Sequence, residues 1–226
     1  PEVAKELQST GFALGGKRVR GTVMFCDIRG FTTIAESQAP EETIDLLNTW
    51  YTLMFDAIGG HGGVVTQMMG DGLMAVFGAP VALSGHEARA VEAAREMIDL
   101  VALFGREREA VGKPAIAIGI GIASGEVVAG YAGTQERATY TCIGDTVNLA
   151  ARLESHTKVA RRPILVDAAT RACLPGDVPA EAGGQRAVLA AQQGEVEDHG
   201  RPVELGHGWA PAIINRPPLA RGGERR

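Results

Sequence analysis

Cysteine is scarce in this sequence. There are three, Cys26, Cys142 and Cys173, in 226 residues. The number is odd, none lie close together, and there is no CxxC, which excludes a disulfide scaffold and a thiolate zinc cluster. A reducing, cytoplasmic setting is expected. The five histidines are scattered and form no HExxH, so the usual zinc-hydrolase helix is missing. No apolar run reaches the roughly 18 residues of a membrane span, and no signal-peptide pattern opens the chain. Positive charge is in deficit, 22 Lys and Arg against 27 Asp and Glu for a net −5. That is the wrong balance for coating nucleic acid.

What is present suits a globular domain. Hydrophobic residues make up 45% and charged residues 22%, enough for a real core. Residues 1–18 are mixed and polar and end in GGKR. They read as a linker from a regulatory domain in the same full-length chain. Residues 19–205 form the domain proper, and 206–226, with three prolines and a basic end, read as a loosely held tail.

Arg20–Ile28, rich in β-branched and apolar residues, predicts a buried strand. Thr33 with Glu36 fits a capping box for a short helix. Pro40 suits the first position of a longer helix, which Gly59 and Gly60 close. Gly63–Met69 and Gly72–Phe77 predict a hairpin with Asp71 at its tip. Ser84 and Glu87 suggest a second capping box, ahead of a long amphipathic helix. Ala115–Ala123 predicts a central strand, so its glycines are no dinucleotide-binding turn. Gly125–Gly133 and Thr139–Ile143 predict two more strands. Asp145 suits the cap of the next helix. Arg162–Val166 predicts a strand, with a short helix from Asp167, and Glu195–Leu205 a last strand. The order is that of an α+β fold, a ferredoxin-like antiparallel sheet with helices on one face.

In such a sheet Asp27, ending the first strand, lies beside Asp71 at the hairpin tip. Two facing carboxylates repel, and one pKa rises. A hard divalent cation, Mg²⁺ or Mn²⁺, removes the conflict. The plain alternative, Asp27 as a helix cap and Asp71 as a turn residue, fits the spacing equally well. The strand-to-helix turn after Asp27 offers backbone N–H groups to phosphate, or is an ordinary tight connection. Asn148 and Arg152 share one helix face and suit a clamp on a phosphoryl group. A solvated arginine is the commoner outcome.

Four stretches carry a resemblance: TVMFCDIRGFT (22–32), GDGLMAVFG (70–78), GIASGEVVAG (121–130) and YTCIGDTVNLAARLE (140–154). In order and spacing they are similar to the class III nucleotidyl cyclases, the catalytic domains of adenylyl and guanylyl cyclases. The resemblance implies two divalent metal ions, Mg²⁺ or Mn²⁺, held by Asp27, Asp71 and the Ile28 carbonyl. It implies that Gly30, Phe31 and Thr32 cradle phosphates, that Asn148 orients the ribose, and that Arg152 stabilises charge on the α-phosphate. The implied reaction is in-line attack of the ribose 3′-oxygen on the α-phosphorus, with pyrophosphate leaving. Active sites in this family lie between two catalytic domains. A chain carrying both residue sets implies a homodimer with two composite sites.

The family's base-reading positions fall on Gln67 and Thr141. Cys142 is one residue too late for that role and in a strand points the other way. Thr at this position resembles the class IIIb adenylyl cyclases, so ATP is the expected substrate and cyclic AMP the product. Both side chains also have groups that match guanine, so a guanylyl or dual-specificity cyclase is the alternative. A catalytically silent nucleotide-binding module is a third reading. Two family features are missing. Gly119 stands where many relatives carry a phosphate-holding Arg, and Glu197 and Asp198 stand where a late Lys is usual. Arg29, His199 and Arg201 are the candidate substitutes.

Overall fold

The computed structural model describes residues 15–134, 138–174 and the backbone of 188–190. In chain order the elements are β1 (Gly15–Ile28), α1 (Phe31–Glu36), α2 (Pro40–Gly60), β2 (Val64–Met69), β3 (Gly72–Phe77) and α3 (His86–Ala110). They continue with β4 (Ile118–Gly133), β5 (Ala138–Ile143), α4 (Asp145–Ala160), β6 (Ile164–Val166), α5 (Ala168–Ala172) and β7 (Val188–Ala190). One sheet runs β2-β3-β1-β4-β6-β7, and β5 pairs with the outer half of β4. The pairs among β1 to β5 are antiparallel, while β6 and β7 add in parallel at one edge. This is the α+β plan expected, with two departures: the edge strands β6 and β7 are parallel, and α4 covers the second face of the sheet.

Alternation along the strands sorts two cores. Met24, Cys26, Ile28, Leu73, Phe77 and Ile120 face α2 and α3, where Trp50, Met54, Ile58 and Met97 meet them. Val23, Phe25, Met74, Val76 and Ala123 face the other way, against Val147, Ala150 and Leu153 of α4 and Cys142 of β5. Both faces are covered, which is why β1 and β3 read as unbroken apolar runs. Gly121 sets the approach of α4. A Cβ there would collide with the Glu154 amide and the Ala150 carbonyl, so only glycine lets helix backbone lie this close to strand backbone.

Several local expectations need correction. The capping box at Thr33 and Glu36 is not formed. α1 starts at Phe31 behind Gly30, which is left-handed at φ 64°, and no side chain caps it. Likewise α3 starts at His86 behind left-handed Gly85, not at Ser84. Asp145 is the first residue of α4 rather than its cap. In the first two cases a positive-φ glycine turns the chain straight into the helix, so no capping side chain is required. Asp167 does cap, accepting from the Thr170 N–H at 2.9 Å. The strands expected at 115–123 and 125–133 are one 16-residue strand, because β1 pairs along its whole length. β1 itself begins at Gly15, so four residues of the segment read as linker belong to the sheet. The strand expected at 195–205, and the tail, lie outside the described residues. Among the described residues no helix is long and apolar enough to cross a membrane.

Candidate active site

β1 delivers Asp27 to the mouth of the sheet, directly opposite Gly72 of β3 on one side and Gly119 of β4 on the other. Ile28 buries its side chain in the core and meets the site through its backbone, its N–H donating to the Asp71 carbonyl at 3.0 Å. Gly70, at φ 69°, makes the tight turn that carries Asp71. The Tyr51 hydroxyl, from α2, bridges the carbonyls on either side of it, Gly70 at 2.8 Å and Gly72 at 3.1 Å. A glycine at 72 keeps the space beside Asp27 open, since a Cβ there would sit 3.3 Å from Asp27 Oδ1. Burial, then Asp71 and then Glu154 push the Asp27 carboxyl up to about 7, against the pull of Lys158. The Glu154 carboxyl is raised too, mainly by burial. Two crowded, half-desolvated carboxylates are the oxygen donor set that fits a hard divalent cation. The metal reading fits these residues better than the cap-and-turn alternative.

Two cations border the pair. The Arg29 guanidinium lies over Gly119, where any Cβ would collide with it. It is hydrogen-bonded to the Thr157 hydroxyl and stands 3.9 Å from Glu154 Oε1. Arg29 is thus turned towards α4. Lys158, also on α4, places Nζ 4.0 Å from Asp27 Oδ2. His199 and Arg201, the other candidate substitutes, and Glu197 and Asp198 lie outside the described residues. At the turn, Gly30 has open space above it, Phe31 packs on the first core and Thr32 is exposed.

Gln67 meets Thr141. Its amide nitrogen donates to the Thr141 hydroxyl at 2.9 Å. A bulge makes this possible. Val65 pairs with Ala75, but Gln67 pairs with Met74, leaving Thr66 as the extra residue. One inserted residue reverses the alternation. Val65 packs on the α2–α3 core, and Gln67 sits opposite Met74 of the α4 core. Cys142 is buried in that second core and takes no part in the pair.

Asn148 and Arg152 stand apart from the carboxylates of their own chain. α4 buries Val147, Ala150, Leu153, Glu154 and Thr157, while Asn148 is half-buried and Arg152 exposed. Lys158 marks where α4 passes Asp27. Arg152 lies six residues back, roughly 9 Å along the axis, and Asn148 ten, roughly 15 Å. One chain therefore carries the carboxylate pair and the Asn148–Arg152 pair at separate places. Sequence reading missed Tyr51, Glu154 and Lys158. Tyr51 reads as one more apolar helix position, and the only hint for the other two is their i, i+4 spacing.

The model of the adenylate and guanylate cyclase catalytic domain matches residues 18–201. The chain belongs to this family, the class III nucleotidyl cyclases. Over 162 residues it is 37% identical to adenylate cyclase 1 of Rhizobium meliloti, a match covering 69% of this chain and 24% of that protein. An uncharacterised protein of Mycobacterium bovis is 41% identical over 152 residues, covering 67% of this chain and 25% of that one. The chain thus spans about a quarter of the length of these curated relatives. Among solved structures, the guanylyl cyclase Cya2 superposes with a TM-score of 0.67 at 32% identity, covering 76% of this chain and 85% of that one. The adenylyl cyclase CyaB from P. aeruginosa gives 0.58 at 37%, covering 63% and 74%. In this cyclase domain Asp27 stands beside Asp71, and Gln67 meets Thr141.

Proposed function

We propose that this cyclase domain is an adenylyl cyclase, converting ATP to 3′,5′-cyclic AMP and pyrophosphate. The observation that carries the choice of base is the Gln67–Thr141 pair. With one amide N–H on Thr141, Gln67 has a second N–H for the N1 acceptor of adenine, and Thr141 keeps a lone pair for the N6 donor. Asp27, Asp71 and the Ile28 carbonyl hold two divalent ions, Mg²⁺ or Mn²⁺. When bound, these activate the ribose 3′-hydroxyl and offset triphosphate charge. Backbone N–H groups of Gly30, Phe31 and Thr32 face the phosphates. Asn148 orients the ribose and Arg152 stabilises charge on the α-phosphate, a contribution of about 10²–10³ in rate.

The separation of the half-sites supports a homodimer, in which one protomer's Asn148 and Arg152 complete its partner's carboxylate site. The greater length of the curated relatives supports a regulatory domain elsewhere in the same full-length chain. A guanylyl or dual-specificity cyclase is the second reading, favoured by the likeness to Cya2. A reversed Gln67 amide and a rotated Thr141 hydroxyl match guanine.

The test incubates purified protein, at several concentrations, with ATP or GTP and with Mg²⁺ or Mn²⁺, and separates the products. Cyclic AMP is expected, with specific activity rising with protein concentration. Predominant cyclic GMP would reassign the base, and nucleotide binding without any cyclic product would make this a silent module. Gln67→Glu is expected to shift preference towards GTP; an unchanged ratio would remove Gln67 from base reading.

A further inference from the structure

We propose that Lys158 is a triphosphate-contacting residue of the carboxylate half-site on its own chain. It balances Asp27 while no metal is bound and turns to the nucleotide's phosphates once metal takes that carboxylate. The inference rests on reading Asp27 and Asp71 as the metal carboxylates.

Three carboxyl groups, Asp27, Asp71 and Glu154, act on one another here, and a nucleoside triphosphate brings more negative charge to the same place. Gly119 supplies no side chain. Arg29 fills the space over Gly119 but is engaged with Thr157 and Glu154, and one face of its guanidinium, Nη1, is buried. It anchors α4 and is not free to follow a ligand. The same anchoring fixes the stretch of α4 from which Lys158 projects. Lys158 differs from Arg29 in two ways. Its side chain is 57% exposed, and its nitrogen already stands 4.0 Å from Asp27 Oδ2. A hard divalent cation holds oxygens at about 2 Å, so a phosphate sharing an ion with Asp27 lies within about 4 Å of that carboxylate. A flexible four-carbon stem with three donors covers that distance without moving the helix.

The two roles have opposite signs in Lys158→Met. Titration of Mn²⁺ into nucleotide-free protein is expected to show tighter binding by about five-fold, because the ion no longer has to displace a unit-charge ion pair at about 4 Å in a water-like dielectric. Binding of fluorescent 3′-deoxy-ATP, which cannot cyclise, is expected to weaken about ten-fold. Binding of the matching 3′-deoxy-AMP should not change, and Lys158→Arg should restore the triphosphate preference. A merely exposed lysine would move neither readout, and equal weakening of triphosphate and monophosphate would make the role structural; either result overturns the proposal. Both readouts are independent of turnover. Wild-type protein that forms no cyclic nucleotide counts against the cyclase reading, while these binding constants still decide for or against Lys158.

Discussion

The middle of the β1–β4 strand pair and its end at Asp27 handle buried polarity in opposite ways. In the middle Thr22 bonds His86 Nδ1 and Ser124, and Ser124 bonds Thr170, each at 2.7 Å. Asp167 closes the chain by accepting from the N–H groups of Ser124 and Thr170. Every hydroxyl has a partner, and the network ties β1 and β4 to the start of α3 and to α5. Five residues further along β1, roughly 17 Å away, Asp27 and Asp71 crowd each other. Arg29 Nη1 and Glu154 Oε1 are buried there without a hydrogen-bond partner. A satisfied buried network stabilises and specifies a fold, whereas an unsatisfied one costs stability. The difference shows which part of the strand pair the fold uses for its own integrity and which it leaves in conflict.

The comparison breaks most severely at the carboxylate end. Asp27→Asn is expected to lower cyclase activity by at least about 10²–10³ and to raise the thermal midpoint of metal-free protein, because a buried repulsion is removed. A variant that loses both activity and stability would show Asp27 to be structural. Arg152→Ala is expected to lose activity on the same scale without changing stability, since the side chain is exposed. Mixed with Asp71→Ala, it should recover about a quarter of wild-type activity. Random pairing gives half heterodimers, each with one intact composite site. No recovery would argue against shared sites.

Smaller effects sharpen the contrast. Tyr51→Phe keeps the ring but frees the Gly70 and Gly72 carbonyls. A loss of about 10–100-fold in metal affinity is expected, as for other groups that orient ligands, and Mn²⁺ titration measures it. In the hydroxyl network, Thr22→Val should cost about 1–3 kcal/mol in denaturant unfolding and leave kcat unchanged. The smallest effect concerns pH. Burial, ahead of Arg20 and against Glu87, lowers the His86 pKa. The unfolded chain then binds the proton more readily, so this contribution is complete above about pH 6.5 and fades as pH falls below it. Denaturant midpoints measured from pH 8 to 5 should show that decline, and His86→Gln should flatten it.

Much of this was legible in the sequence because the signals are local. The buried run of β1, the hairpin around Gly70 and Asp71, and Pro40 at the start of α2 follow from side-chain periodicity and backbone conformation over a few residues. Asp27 and Asp71 come together because strand order alone sets them side by side. The Thr66 bulge left no trace in VVTQMM, since one extra residue changes the register without changing composition. The caps failed for a related reason. Ser, Thr and Asp are compatible with a cap, but left-handed Gly30 and Gly85 made one unnecessary.

The amino-acid sequence by itself determined the order of the elements, the two carboxylates and the family, all of which depend on neighbours along the chain. Only the tertiary structure decided that the Gln67 amide donates to the Thr141 hydroxyl across 74 residues and that Arg29 is committed to α4 rather than free. It also decided that Lys158 stands against Asp27. These depend on which strand bulges, how closely α4 packs over Gly121 and which side chain fills the space above Gly119. Such contacts are fixed by packing between distant segments, and no local pattern encodes them.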